Sequence, residues 1–549
     1  MIDKKFSYIL HSPLSSSSKF LLHIPSLIIA LFGGVLMGLT VAPFNCYFLA
    51  YVALIPLIFA IHKSFFTATF AGFLWGFGYH GTALFWITGI HPMTWMGIPW
   101  LYSLLIALIC WLFITFWGAI LVTIWSGLIN FIIKIEYSKS HFYSWIIFIL
   151  GISSWCILEK CWSLGSLWWS SLAYTQSPYN LPILQLLTIS GTTTLTAFIL
   201  LINFLIFYTI KTYLIPVNQD RKYFKSVLFI TLFVFISIHI YGWLIYKTPL
   251  QDSANKAIKV GIIQGNIPNE IKLYDPGLKK ALVNYQKGYE TLAQKNVDLI
   301  ITPETALPFF NEDIEKNTSF YKTVKENKIP IILGAFKTLS TYDYTNSLFS
   351  IDKNGNVISR YDKIKLVPLG EYIPFQQILG DVIRRLSPLD TQLVAGNYNQ
   401  SFTITLQDES KQVKLTVIVA ICYDSAFSEV FRQQALKGGE FVITAANNAH
   451  YSNSMPFQHH AQDVMRAIET GKWMARATNT GYSAIVNPRG DTVWLSNLNE
   501  YQTHIDTIYR RHQQTFYALR GDWLNKLFIL IMATYLFFRI TINRFIHLQ

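Results

Sequence analysis

The sequence predicts a polytopic α-helical membrane protein that carries one α/β domain outside the bilayer, and three observations predict it. Of its 549 residues, 52% are hydrophobic and only 14% are charged, where an ordinary soluble domain carries roughly 25% charged residues. Apolar stretches close to the roughly 20 residues needed to cross a bilayer recur through residues 1 to 250. A long mixed stretch, 251 to 520, then alternates short apolar runs with helical patterns, as an α/β domain does.

Eight candidate spans lie at about 24 to 42, 46 to 62, 67 to 90, 101 to 131, 142 to 160, 185 to 210, 226 to 246 and 524 to 541. The second is short, and the fourth is long enough to tilt or to run past the interface. With a cytoplasmic N-terminus, one side of the membrane collects Lys4, Lys5, Lys19, Lys63, Lys134, Lys139, Lys211, Arg221, Lys222, Lys225, Arg539 and Arg544. The short loops opposite hold essentially Lys160. The excess of basic residues on the cytoplasmic side therefore places both termini inside and the mixed stretch outside the cytoplasm. The net charge of +13 is largely this topological charge and does not point to nucleic acid. At the N-terminus, basic residues precede Ser12–Ser18 and no small-residue cleavage site closes the first apolar run, so this end reads as an anchor. Three units follow: a seven-helix membrane domain at 1–246, an extracytoplasmic domain at 247–523, and a C-terminal helix with a short tail at 524–549.

Within the extracytoplasmic domain, strand-like runs fall at 258 to 264, 297 to 302, 330 to 335, 347 to 352, 413 to 421, 440 to 446 and 482 to 487. Helical patterns fall at 277 to 295, 313 to 327, 425 to 437 and 457 to 475. Residues 251 to 520 contain one cysteine, Cys422, which closes the β-branched run Leu-Thr-Val-Ile-Val-Ala-Ile-Cys-Tyr-Asp. At a strand-to-helix turn a thiol is presented outward, and backbone N–H groups can stabilise a thiolate or an oxyanion. It could equally be a small buried residue, since free cysteine is among the most buried types. An oxidising compartment, however, tends to pair thiols, so a spare one there needs a reason. Glu304 follows Val-Asp-Leu-Ile-Ile-Thr-Pro, and Lys363 and Glu371 lie in Tyr-Asp-Lys-Ile-Lys-Leu-Val-Pro-Leu-Gly-Glu-Tyr-Ile-Pro. Singly these read as a helix-start acid, a surface lysine and its salt-bridge partner. Together they put a carboxylate, an ammonium and a thiol at strand ends, where ligand chemistry gathers in open α/β sheets. His450, His459 and His460 lack a third ligand at metal spacing, so no metal is expected.

Pro-Glu-Thr-Ala, the Lys363-to-Glu371 segment and Ile-Cys-Tyr-Asp, in that order and spacing, resemble the Glu, Lys and Cys segments of the nitrilase superfamily. The spans around them narrow the resemblance to the apolipoprotein N-acyltransferases of bacterial membranes. Val-Gly-Ile-Ile-Gln-Gly-Asn-Ile-Pro (260 to 268), Ala-Thr-Asn-Thr-Gly-Tyr-Ser-Ala (477 to 484) and Leu-Ala-Tyr-Thr-Gln (172 to 176), the last in a membrane-proximal loop, add to it. The chain departs from the family at Asp424, where Glu is common. It departs again at Asn447 to Tyr451 with His450, and at Leu273 and Tyr274, where a tryptophan is common near Lys272.

The resemblance implies a nitrilase-like αββα domain. Its catalytic residues would be Glu304 as general base, Lys363 as the cation near the oxyanion and Cys422 as nucleophile. Glu371 would orient or neutralise Lys363, and Tyr423 would line the acyl site. Burial would raise the Glu304 carboxyl and Lys363 would temper the rise. The implied reaction passes a fatty acyl group from a phospholipid, through a thioester on Cys422, to the α-amine of a diacylglyceryl-modified N-terminal cysteine of an apolipoprotein. It needs no cofactor, metal or nucleic acid, and the expected form is a monomer in the bacterial inner membrane with its catalytic domain on the periplasmic side. The competing expectation is a membrane-tethered amidase that acts on small amides with the same three residues.

Overall fold

The computed structural model describes residues 24–136, 141–214, 220–340, 343–372, 393–408 and 411–547. Lys4, Lys5, Lys19, Ser12–Ser18, Lys139 and the Ile373-Pro374 end of the lysine-to-glutamate segment lie outside them.

Among the described residues, five helices are long and apolar enough to cross a membrane: Trp100–Ile135, Tyr143–Leu164, Thr192–Leu214, Tyr223–Lys247 and Trp523–Thr541. Shorter apolar helices occupy Ile24–Gly38, Tyr47–Ile61 and Leu181–Ser190, and Phe65–Ala83 forms a 19-residue helix whose first turn is capped by the Ser64 hydroxyl. The stretch 46 to 62 is not one straight span. It is a 3-10 turn, Tyr47–Tyr51, followed by the helix Ile55–Ile61, and Pro56 in the first turn of the second piece has no N–H to continue the first. Two of the backbone groups freed by the break are met by one side chain: Asn203 Oδ1 accepts from the Leu54 N–H, and its amide donates to the Ala50 carbonyl. Unsatisfied backbone groups are costly away from water, so such a break persists only where a neighbour answers them. The stretch 185 to 210 is likewise interrupted, at Gly191 with φ of 64°, before the helix Thr192–Leu214.

Beyond residue 256 the chain builds two six-stranded sheets. The first contains β1 (Ala257–Gln264), β2 (Leu299–Ile301), β3 (Ile331–Thr338), β4 (Tyr344–Ile351), β5 (Val357–Asp362) and, at the far edge beside β1, β12 (Gln502–Tyr509). The second contains β6 (Phe402–Asp408), β7 (Lys411–Ile421), β8 (Val442–Ala446), β9 (Met474–Thr478), β10 (Ala484–Val486) and β11 (Thr492–Leu495). Strands β1, β2 and β3 run parallel, as do β7, β8 and β9.

Both faces of the first sheet are buried, and the alternation of its side chains shows against what. Ile263, Ile300 and Leu333 pack with Tyr285, Tyr289 and Leu292 of the helix Asp275–Ala293. Val260, Leu299, Ile301 and Ile332 face the core shared with the second sheet. Helices Ser428–Leu436 and Ser454–Thr470 cover the second sheet with Val430, Phe431, Val464 and Ile468. Two sheets between helical layers are the αββα arrangement expected from the resemblance.

Several boundaries differ from the sequence pattern. The pattern 457 to 475 is a helix only to Thr470, because Gly471 (φ 66°) takes the left-handed capping position and the chain turns into β9. The pattern 313 to 327 is two helices, Asn311–Asn317 and Phe320–Asn327.

The two parts of the molecule meet at Gln458. Its Oε1 accepts from the indole N–H groups of Trp86 (3.1 Å) and Trp169 (2.8 Å), and its Nε2 donates to the carbonyls of Ala42 (2.9 Å) and Ala83 (2.7 Å). All four hydrogen-bonding positions of the amide are filled across this joint. Ser177 adds a bond to the Ala461 carbonyl, and Gln462 adds one to the Trp169 carbonyl.

Candidate active site

Four strand ends deliver the candidate residues to one buried recess. After β2 the chain runs Thr302-Pro303-Glu304-Thr305, and Thr305 is held at φ of 42°. Gly334 on the neighbouring β3 makes room for this turn, because a Cβ there would collide with the Pro303 carbonyl. Lys363 follows β5, and its backbone N–H donates to the Asn346 carbonyl of β4. Cys422 follows β7 and Asn447 follows β8.

The Lys363 ammonium is 1% exposed. It bridges the Glu304 Oε1 at 2.9 Å and the Glu371 Oε1 at 2.8 Å. Asn346 Nδ2 spans the same two carboxylates, at 2.8 Å and 3.3 Å. The Val367 N–H fixes the other oxygen of Glu371, and the Asn447 N–H donates to Glu304 Oε2 at 2.8 Å. Burial pushes the Glu304 carboxyl up, but Lys363, then Lys272 and Asn346, outweigh it and hold the group below the usual carboxylate range. The expected rise is therefore reversed: a carboxylate with charged and amide donors on both oxygens stays ionised. Lys363 is likewise held well above the usual lysine range by Glu304 and Glu371 against the effect of burial.

Cys422 is a buried free thiol at φ of 50°, a left-handed conformation that costs a non-glycine residue on the order of 1–3 kcal/mol. Burial pushes its thiol up, Glu304 adds to the rise, and Lys363 opposes it. The Asn447 N–H faces both this thiol and Glu304. The helix expected from Ser425 begins at Ser428, since residues Cys422–Ala426 form a 3-10 turn. Asp424 builds that turn: its Oδ2 accepts from the Ile421 N–H (3.0 Å) and the Tyr361 hydroxyl (2.9 Å), and its Oδ1 accepts from the Lys365 N–H (2.8 Å). Its shorter side chain, a departure from the family, thus has a complete set of partners.

Behind the turn, His459 takes its proton on Nε2, which donates to the Cys422 carbonyl at 2.9 Å, while Nδ1 accepts from Asn448 at 3.0 Å. His460, likewise, is bonded to Thr492. In front, the Tyr423 hydroxyl reaches the carbonyls of Ser166 and Trp168 at 2.8 Å each, and its ring stacks on Trp169. Tyr174, in the Leu172–Gln176 turn, donates to the Ala426 carbonyl. The candidate nucleophile turn therefore rests directly on the loop that joins two membrane helices.

All five sequence candidates converge here. Asn346, Asn447, Asp424 and His459 were not named as catalytic or supporting residues; Asp424 and Asn447 were visible as departures from the family, whereas Asn346 is one polar residue among several in β4. A thiol, an ionised carboxylate beside it and a fixed ammonium, all buried, are the parts needed for acyl transfer through a covalent thiol ester.

Residues 259–515 match the carbon-nitrogen hydrolase family, and residues 33–205 match the N-terminal domain of apolipoprotein N-acyltransferase. The chain is 48% identical over 499 residues to the apolipoprotein N-acyltransferase of Nostoc sp., covering 90% of this chain and 95% of that one. It is 42% identical to the apolipoprotein N-acyltransferase of Synechocystis sp., with 90% and 97% covered. Among solved structures, an amidase from Nesterenkonia sp. is 16% identical and superposes at a TM-score of 0.35, covering 50% of this chain and 96% of that one.

Proposed function

The chain belongs to the apolipoprotein N-acyltransferase family, and from that premise we propose how this molecule carries out the transfer. It is a membrane acyltransferase that acylates the N-terminus of apolipoproteins. The acyl donor is a phospholipid, the acceptor is an apolipoprotein bearing a diacylglyceryl-cysteine, and the chain works as a monomer. Residues 1–246 and 524–549 form an eight-span membrane unit with both termini in the cytoplasm, and residues 247–523 act on the periplasmic side of the inner membrane.

Cys422 is the nucleophile, Glu304 the general base and Lys363 the oxyanion cation. In the first half-reaction the Cys422 sulfur attacks the ester carbonyl as its proton passes to Glu304. Because the resting thiol is raised and the carboxylate lowered, this proton moves only together with C–S bond formation, which keeps an idle thiolate from forming. Lys363, held rigidly by Glu371, and the Tyr423 N–H face the tetrahedral oxyanion. The C–O bond breaks, Glu304 returns the proton to the leaving lysophospholipid, and a thioester remains. In the second, the acceptor's α-amine attacks that thioester, Glu304 takes the amine proton, the C–S bond breaks and the thiol is restored beside an amide.

One observation carries this reading: the Cys422-Tyr423 turn is bonded to Ser166 and Trp168, between membrane helices, where a lipid ester is at hand and a small soluble substrate has no need to be. The test is mass spectrometry of protein incubated with phospholipid and then with a diacylated lipopeptide. A hydroxylamine-labile fatty-acyl adduct on Cys422, discharged by the lipopeptide, is expected. Ammonia release from small amides with no adduct would mean a tethered amidase instead.

A further inference from the structure

Lys272, at the end of the short helix Asn269–Lys272, is 3% exposed. Lysine is almost never this buried without a purpose or a partner. Its two hydrogen-bond partners are both neutral oxygens, the Glu304 carbonyl at 3.2 Å and the Thr305 hydroxyl at 3.0 Å. They belong to the strained turn that presents the candidate base. The backbone of Lys272 is fixed from the other side, since a Cβ on Gly277 would collide with the Ile271 carbonyl and crowd Lys272.

We propose that Lys272 is the second cation of the active centre, a positioning residue that holds the Glu304-Thr305 turn and offsets the excess negative charge of the recess. Glu304 and Glu371 share the single ammonium of Lys363. With Lys363 alone, two carboxylates leave one net negative charge before any thiolate or oxyanion forms. A second buried ammonium offsets it, and the charge that develops during attack then meets less repulsion from the carboxylates already there. Lys272 interacts electrostatically with Glu304 and with Cys422. The other groups facing these residues are Lys363, Glu371, His450, Tyr451 and His459, the buried Asp424 of the Cys422 turn faces Lys363, and on its own helix Glu270 is exposed. Burial pulls the Lys272 ammonium down to about 8, with Glu304 and Cys422 resisting. Its charge is therefore present at neutral pH and lost as the pH rises past that value.

The inference rests on Cys422 as nucleophile, and the test reads that thiol directly, whichever acyl donor or acceptor the enzyme uses. Full-length protein in detergent is treated with iodoacetamide from pH 7 to pH 10, and alkylation of the Cys422 peptide is followed by mass spectrometry. In the unaltered protein the rise in rate with pH flattens near pH 8 as Lys272 loses its proton. Lys272→Met is expected to react ten- to a hundredfold more slowly at pH 8, equivalent to about one to two pH units in the thiol. Lys272→Arg, permanently charged, is expected to stay within about threefold of the unaltered protein at pH 8 and to show no flattening. A Lys272→Met profile within threefold of the unaltered one at every pH overturns the proposal. Should Lys272→Met fail to fold, Lys272→Arg decides alone, and a profile that keeps the flattening overturns it.

Discussion

The Gln458 joint and the Cys422 recess are both buried and polar, yet they are built on opposite terms. At the joint one neutral amide meets two indole N–H groups and two carbonyls, and nothing is left over. In the recess two carboxylates share the Lys363 ammonium, Cys422 and Thr305 are held at positive φ, and Asn346 Oδ1 has no partner among the described residues. A satisfied neutral network fixes position cheaply, whereas a crowded charged one holds potential for chemistry at some cost in stability. The contrast teaches where a substitution should be felt: as lost rate in the recess and as lost stability at the joint.

The sharpest break of that division would come from the recess. Cys422→Ala is expected to abolish the acyl adduct, and Glu304→Gln to slow its formation by about 10²–10⁴-fold. Both should leave the thermal midpoint in detergent close to that of the unaltered protein, because Lys363 keeps Glu371. Gln458→Ala is the converse. It strands two donors and two acceptors and should destabilise by about 2–4 kcal/mol, seen as a lowered melting midpoint, with acylation well below that temperature reduced less than about tenfold. Tyr423→Phe lies between, since the residue belongs to the turn but bonds to the membrane loop; about 1–2 kcal/mol of stability and about tenfold in acylation rate are expected to go together. If Tyr423→Phe lowered only one of the two, the regions would be less coupled than the shared contacts imply. The gentlest probe is pH. A thiol raised by burial and by Glu304 stays neutral through the range in which an ordinary cysteine ionises. Alkylation of Cys422 at pH 7.5 should thus be slower than that of an exposed cysteine peptide.

The sequence made the reacting groups visible and left their supports hidden. Glu304 and Cys422 stand at the ends of apolar runs, where a carboxylate or thiol is conspicuous against its neighbours, and Lys363 and Glu371 are marked by the segment they share. Lys272 looks like one more lysine beside Glu270, and only the packing of the turn at 303–305 and of Gly277 buries it. Gln458 sits in a helical pattern with nothing to mark it, because its four partners come from residues 42, 83, 86 and 169. The 46 to 62 stretch was apolar enough to read as one span. The break at Pro56 became affordable only through Asn203, about 150 residues further on, which no local window contains. Periodicity reports which face of an element is buried, not which distant backbone group awaits a partner.

The joint also carries a consequence for synthesis. The carbonyls of Ala42 and Ala83 lie 416 and 375 residues ahead of the amide that serves them. During translation both must wait, one in the turn after the helix Ile24–Gly38 and one at the end of the helix Phe65–Ala83, until residue 458 has been made and delivered back to them. Docking of the second domain is therefore the event that completes the first, and a ribosome stalled before that codon would leave a membrane bundle with open carbonyls, marked as unfinished to any quality-control machinery that recognises exposed polar backbone.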